Sequence, residues 1–351
     1  MKNSIYLIIF AAFLFSSCDN NGPITPDIRT DFSDVLSNLG NNVIVSTYAD
    51  LKKGATTLAE SSILLAQDPT ETNLLATRQA WMEARIPWEQ SEGFLLGPAD
   101  AEGLRNSIDS WPVNVNDLNN ILNSTINITD EYLETQGKAL KGFHVMEYLL
   151  WGESGNKSIV DFKPREYEYL AEAAVILSAD IATLTNLWLP DEGNYVQFLL
   201  TVGNNNIFAS QKSAIEKIVE GLVIIANEVA NIKINDPLSK KDLTLEESRY
   251  SSNSKADFIN NMYSIQNIFK GQYAGEGNGK GISTIIVSKD AELNTKIREL
   301  IEQTILKIEV IPGTFSEAIF ADPQSITEVQ RSVNNLRGLL QTDVGAVISK
   351  L

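Results

Sequence analysis

The stretch Lys138-Ala-Leu-Lys-Gly-Phe-His-Val-Met-Glu-Tyr-Leu-Leu-Trp-Gly152 contains the only histidine in a chain of 351 residues. Between positions 140 and 151, every residue is apolar, aromatic or glycine except Lys141, His144 and Glu147. A helix with this pattern is buried on nearly all sides, because it has no continuous polar face to turn toward water. The stretch therefore predicts a buried helix that carries the only imidazole of the protein.

His144 and Glu147 are three residues apart, so on a helix they project from the same side and can reach a single point. Two interpretations of the pair stay open. The first is a buried histidine hydrogen-bonded to an ionised glutamate. The second is half of a metal site, completed by ligands from facing helices. Gly142 precedes the pair and allows another backbone to approach closely.

The pattern Gly142-x-His144-x-x-Glu147, followed by Tyr148-Leu-Leu-Trp-Gly152, resembles the signature of the imelysin family. Further similar segments follow the order of the family, at 80–94, 97–98, 108–112, 236–239, 247–254 and 257–271. The resemblance covers essentially the whole mature chain. It implies a tandem pair of helical bundles, and it implies either a peptidase of the class named for insulin cleavage or an envelope protein associated with iron uptake.

The apolar spacing predicts an all-α fold, since long helical stripes recur and no convincing run of alternating strand residues is present. We expect two packed helical-bundle units, each like a four-helix bundle, with irregular loops between helices. The expected boundaries are 31–202 for the N-terminal bundle and 203–351 for the C-terminal bundle. Asn235-Asp-Pro-Leu238 predicts a break between helices, and the spacing of Ser254 and Asp257 predicts a capping box.

The first 17 residues combine one lysine with a short apolar run and small residues, which is typical of a signal peptide. They end at Ser-Ser-Cys18, which resembles a bacterial lipobox and predicts lipidation of Cys18. Residues 18–30 then form a polar tether that contains proline. We expect a lipoprotein of the bacterial cell envelope, anchored to a membrane through acylated Cys18, in the periplasm or at the outer membrane.

The chain carries 28 Lys and Arg against 45 Asp and Glu, a formal charge of -17. Such a charge repels the phosphates of nucleic acids and favours the capture of cations. We therefore expect no nucleic-acid partner.

The inventory of side chains limits the chemistry. With one histidine and a lipidated cysteine, the mature chain offers one imidazole and no thiolate. Zinc sites with two histidines or several cysteines are excluded within one chain, so oxygen donors must complete any metal site at His144. One nitrogen with several oxygens suits iron or manganese and also allows zinc.

The remaining site residues must come from other helices. On the helix predicted for 70–93, Glu89 and Glu92 are the first candidate ligands, and Arg85 either neutralises Glu147 or binds an anionic ligand. Further candidates lie beside a proline and in a polar stretch of the second half, namely Asp109, Trp111, Glu247, Ser248, Arg249, Tyr250 and Ser251. Each of them could also be an ordinary cap or surface residue.

Three functions remain open from the sequence. The first is an envelope lipoprotein that binds a metal, iron before zinc or manganese, or a small ligand that carries one, together with iron-uptake partner proteins. The second is a metallopeptidase in which His144 and Glu147 hold zinc. The third is an interaction protein in which the pair is structural. Because one histidine cannot provide the usual ligands of a catalytic zinc ion, the available side chains favour the first of these functions.

Overall fold

Helices make up nearly all regular structure in the computed structural model, which describes residues 31–101 and 103–351. Among these residues the only strand-like pairing is an isolated bridge between Tyr273 and Glu276. The predicted all-α class is confirmed. The predicted signal peptide 1–17 and tether 18–30, with Cys18, lie outside the described residues.

The α-helices are, in chain order, α1 Ser33–Asn38, α2 Val45–Gln67, α3 Glu71–Ser91, α4 Pro98–Ala101, α5 Leu104–Ile108, α6 Val115–Leu122, α7 Asp130–Glu134, α8 Phe143–Trp151, α9 Pro164–Trp188, α10 Gln197–Leu200, α11 Gln211–Glu228, α12 Asn235–Lys240, α13 Ser254–Lys270, α14 Ile282–Val287, α15 Ala291–Glu309, α16 Phe315–Ala321, α17 Pro323–Gly338 and α18 Gly345–Ile348. Three π-helical segments continue α1, α11 and α17 into the next helix, at Leu39–Ile44, Val229–Ile234 and Leu339–Val344. Short 3₁₀ turns lie at Glu92–Phe94, Lys138–Leu140, Ile159–Asp161 and Leu243–Leu245.

In the first half of the chain, α2 packs against both α3 and α9, and α8 packs against α3 and α9. Helix α9 is, among the described residues, the one helix long and apolar enough to cross a membrane. Its buried side chains, including Tyr169, Leu177 and Leu184, belong to the core that it shares with α2. These contacts enclose α8, which agrees with the buried helix that the sequence predicts.

In the second half, α13, α15, α17 and α11 pack in a chain of neighbours. Helix α13 also packs against α3, and the turn Glu92–Phe94 packs against α11. Residues 31–351 form one compact unit. The division into bundles at position 202 stays a prediction.

Two local predictions for the second half are wrong. The chain does not break at Asn235, because the π segment Val229–Ile234 leads directly into α12, where Pro237 removes one backbone donor without ending the helix. Ser254 does not form the predicted capping box of α13. It is the first residue of α13, and its hydroxyl donates to the buried carboxylate of Glu246.

Candidate metal centre

Gly142 fixes the start of α8. Its φ is +80°, and an added Cβ would lie 2.4 Å from the backbone oxygen of Ile108. Only glycine adopts this conformation easily and leaves room for that carbonyl. The close approach brings the residue after Ile108, Asp109, beside the first turn of α8 and therefore beside His144.

His144 lies between two carboxylates. Its Nδ1 is 3.0 Å from Glu147 Oε2, and its Nε2 is 3.0 Å from Asp109 Oδ1. The second carboxylate is out of line with the ring nitrogen, so Nε2 has no hydrogen-bond partner. The other oxygen of Glu147 accepts from both the backbone N–H and the hydroxyl of Ser251, at 2.8 and 2.7 Å. Glu147 is thus held at both ends, and it orients the imidazole.

Arg85 binds four carboxylates at once. Its guanidinium contacts Asp109 and Glu89, and lies 3.2 Å from Glu247 and 3.4 Å from Asp257. The sequence left open that Arg85 neutralises Glu147. In the structure, the hydrogen-bond partners of Glu147 are His144 and Ser251. Because α3 carries Arg85 and α13 carries Asp257, the guanidinium joins the two halves of the chain.

A second buried cation, Lys233, comes from the π segment Val229–Ile234. Its Nζ lies 3.1 Å from Glu89, 2.6 Å from Glu92 and 3.0 Å from Glu247. The amide of Asn261 on α13 donates to both Glu89 and Glu92, at 2.6 and 2.8 Å. The two glutamates of α3 are therefore held by donors from the second half of the chain.

Together these groups form one buried unit, which we call the acidic cluster. Its members are Glu89, Glu92, Asp109, Glu147, Glu247 and Asp257 with Arg85, Lys233 and His144, and none is more than 6% exposed.

Five buried polar atoms of this region have no hydrogen-bond partner within the described residues: His144 Nε2, Glu247 Oε2, Ser248 Oγ, Asp257 Oδ2 and Asn261 Oδ1. Buried polar atoms are nearly always paired, so such a concentration makes this region the candidate binding site. Asp109, His144 and Glu247 each offer a ligand atom within 4.8 Å of the other two. Glu89, Glu247 and Asp257 form a second such group, in which Arg85 contacts all three residues, whereas in the first group it contacts Asp109 and Glu247 but not His144.

The electrostatics of the cluster depend on burial and on close charges. Burial opposes the charged form of His144, but the carboxylates of Asp109 and Glu147 outweigh this and raise the pKa of the imidazole to about 9. Burial also raises the pKa of Glu247 to about 7, in spite of the nearby Lys233 and Arg85. For Asp109, burial is outweighed by Arg85 and His144, which hold the pKa of the carboxyl well below its usual range.

The other predicted site residues lie at the margin of the cluster. The Trp111 ring is 6.0 Å from the His144 ring and 5.6 Å from Lys233 Nζ, so it covers both. Tyr250 packs edge-on against Tyr148 of α8 at 5.1 Å, and Arg249 pairs with Glu153 at 2.7 Å. The structure thus brings Tyr250 and Arg249 near α8 but not into the cluster.

The sequence did not single out Lys233, Asp257 or Asn261. Lys233 is flanked by two isoleucines at the end of an apolar helical stripe, which is a signal for a buried charge. Asp257 and Asn261 are four residues apart, so they lie on the same face of a helix. Asp257 was assigned to the predicted capping box, and the pair was therefore not recognised.

Comparison with known proteins places the chain in a family. The imelysin family profile, of peptidase class M75, matches residues 44–342. The chain belongs to the imelysin family. Within it, the protein is 31% identical over 264 residues to iron-regulated protein A of Synechococcus elongatus, a match that covers 74% of this chain and 69% of the relative.

Two solved structures share the fold. A protein of Parabacteroides distasonis described as an iron-regulated protein A precursor has a TM-score of 0.80 at 26% identity, covering 91% of this chain and 94% of its own. An imelysin-like protein of Psychrobacter arcticus has a TM-score of 0.74 at 14% identity, covering 91% and 95%. The second likeness concerns the fold alone. The family is therefore shown for the chain.

Proposed function

We propose that this imelysin-family protein binds one iron ion with Asp109, His144 and Glu247. The proposal is carried by one group of three buried side chains, which offer ligand atoms within 4.8 Å of one another and include two atoms without a hydrogen-bond partner, His144 Nε2 and Glu247 Oε2. Leaving such atoms unpaired costs about 1–3 kcal/mol each, and coordination of a metal removes that cost.

The donor set fits the proposed ion. One imidazole nitrogen with carboxylate oxygens suits iron or manganese, and zinc is an alternative. The name of the Synechococcus relative, iron-regulated protein A, favours iron among these.

Each neighbour has a role in this arrangement. Glu147 accepts from His144 Nδ1, which leaves Nε2 as the nitrogen that faces the ion, and Ser251 fixes Glu147. Such carboxylate–histidine pairs orient the ring and raise its basicity as a ligand. Glu89 and Glu92, which the sequence proposed as ligands, instead hold Lys233 and Arg85.

The proposed place of action is the cell envelope. Cys18 is the proposed lipid anchor, and it rests on the sequence alone. An envelope lipoprotein with a buried iron site would pass its ion to, or receive it from, iron-uptake proteins. A small iron-carrying ligand remains the alternative form of the cargo.

A peptidase activity is not part of the proposal. Asp109, His144 and Glu247 are each at most 6% exposed, so a polypeptide cannot reach them without a large opening. We expect purified protein to leave denatured polypeptides intact with added zinc. Cleavage that disappears in both His144→Ala and Glu147→Ala would restore the metallopeptidase hypothesis.

The test counts iron per chain by elemental analysis after loading with ferrous or ferric iron and desalting. We expect one iron in the wild type. In Asp109→Asn the affinity should fall by about 10- to 100-fold, so that the iron is lost on desalting. Asp257→Asn makes the same chemical change in the same cluster outside the proposed ligand group, and it should keep one iron. Equal loss in both variants, or no iron in the wild type, would contradict the proposal.

A further inference from the structure

A buried indole group touches the proposed metal centre. Trp88, on α3, is fully buried, and the one polar atom of its side chain is the indole Nε1. This N–H donates a hydrogen bond of 2.6 Å to Oδ2 of Asp109. The other oxygen of the same carboxylate, Oδ1, contacts Arg85 and lies 3.0 Å from Nε2 of His144. Trp88 therefore binds the oxygen of Asp109 that is not the one beside the imidazole.

The ring of Trp88 also contacts the segment that carries His144. Its centroid lies 6.4 Å from that of Phe143, the first residue of α8 and the neighbour of His144. Trp81, seven residues earlier on the same face of α3, donates from its own indole to the backbone oxygen of Phe143 at 2.9 Å. Helix α3 thus holds the start of α8 with two indoles, and one of the two, Trp88, holds Asp109 as well.

Asp109 needs such a partner because it has no helix of its own. It follows Ile108, the last residue of α5, and the next helix begins only at Val115. Ligand atoms bind an ion well only when packing and hydrogen bonds hold them to within about 0.5 Å. Arg85 also contacts the carboxylate, but its guanidinium is shared among four acidic residues. Within the described residues, the indole N–H of Trp88 has the Asp109 carboxylate as its one acceptor.

We infer that Trp88 is a positioning residue of the metal centre, which fixes Asp109 through its indole N–H so that Oδ1 meets the ion together with Nε2 of His144. This inference rests on the proposed function. Trp88 is not itself a ligand, because an indole N–H is a donor only. Its effect on the ion must therefore pass through Asp109. Loss of a hydrogen-bond partner of a metal ligand typically lowers metal affinity by about 10- to 100-fold.

The test compares two tryptophans that undergo the same substitution. Trp88→Phe keeps an aromatic ring in the core and removes the N–H donor. Ferrous iron, titrated into the full chain without oxygen, should bind this variant at least about tenfold more weakly than the wild type. The matched control is Trp188→Phe, since Trp188 is also fully buried and its Nε1 has no hydrogen-bond partner within the described residues. The control should bind iron like the wild type, although the smaller ring lowers the stability of both variants in urea.

A spectrum separates positioning from packing. Co²⁺ replaces iron as the probe, because its visible absorption bands depend on the arrangement of the ligand atoms. At saturating Co²⁺ the bands of Trp88→Phe should differ from those of the wild type, and the bands of Trp188→Phe should not. A loss of packing that left the ligands in place would lower stability without changing the bands. Should Trp88→Phe not fold, benzothienylalanine at position 88 replaces the N–H by sulfur, keeps the shape of the ring and carries the same expectations.

The outcomes keep this inference apart from the proposed function. If the Trp88 variant binds iron as tightly as Trp188→Phe, or gives the cobalt spectrum of the wild type, Trp88 does not position Asp109, while the metal centre stands. If neither ferrous iron nor Co²⁺ binds the wild type, the proposed function itself fails.

Discussion

The acidic cluster has two sides that use the same kinds of side chain and differ in how fully these are hydrogen-bonded. On the Lys233 side, the carboxylates of Glu89 and Glu92 are held by a buried ammonium group and by the amide of Asn261. On the His144 side, which comprises Asp109, His144 and Glu247, one imidazole nitrogen and one carboxylate oxygen have no hydrogen-bond partner.

This difference separates structural charge from binding chemistry. A carboxylate with a cationic partner contributes to the join between the two halves of the chain, and Asp109 and Glu247 also do so through Arg85. A buried ligand atom without a partner keeps its capacity for an ion. Changes on the Lys233 side should therefore affect mainly stability, and changes on the His144 side should affect mainly metal affinity.

The largest expected effect on stability is that of Lys233→Met. The substitution leaves Glu89, Glu92 and Glu247 buried without their ammonium partner, and breaking a buried ion pair in this way costs about 3–5 kcal/mol. The free energy of unfolding of metal-free protein, measured in urea, should fall by that amount. Lys217→Met removes an exposed ion pair and should cost about 0–1 kcal/mol. Equal losses in the two variants would contradict the structural role of Lys233.

Gly142→Ala should affect both sides, with a smaller effect on stability. The added Cβ would meet the Ile108 carbonyl at 2.4 Å with φ at +80°, and such strain costs about 1–3 kcal/mol. Because Asp109 follows Ile108, its distance from His144 should change and iron affinity should fall as well. The control is Gly338→Ala, where an added Cβ meets nothing within 4 Å and stability should stay the same or rise. A Gly142 variant with unchanged melting temperature and iron affinity would break the link between this glycine and the site.

Ser251→Ala is the mildest change. It removes one hydrogen bond to Glu147, which should cost about 1 kcal/mol of stability and about tenfold in iron affinity through looser orientation of His144. Ser316 donates to the carboxylate of Glu246, outside the cluster. Ser316→Ala should lower stability by a similar amount and leave iron affinity unchanged, as urea unfolding and iron titration would show. Were both variants to bind iron like the wild type, Ser251 would have no part in the site.

The sequence predicts the helices well and the site only in part. The spacing of apolar residues is a local property, so it located α3 and α8, and the i, i+3 rule placed His144 beside Glu147. Glu89, Glu92, Asp109 and Glu247 were also named as candidates and do meet in one cluster. Their partners were not predictable in the same way. Lys233 reaches the cluster because a π segment turns it inward, and Arg85 meets Asp257 only after α3 packs on α13. Contacts between distant helices leave no local periodicity.

The most direct test of an iron ion at Asp109, His144 and Glu247 is a pair of melting curves, for wild type and Glu147→Gln, each with and without iron. Iron at 100 times its dissociation constant should stabilise the wild type by about 2.7 kcal/mol, because it binds only the folded state. Glu147→Gln keeps the shape of the side chain but weakens the orientation of His144, so iron should raise its melting temperature by much less. If iron shifts neither curve, or shifts both equally, the ion is not bound at His144 and the pair with Glu147 is structural.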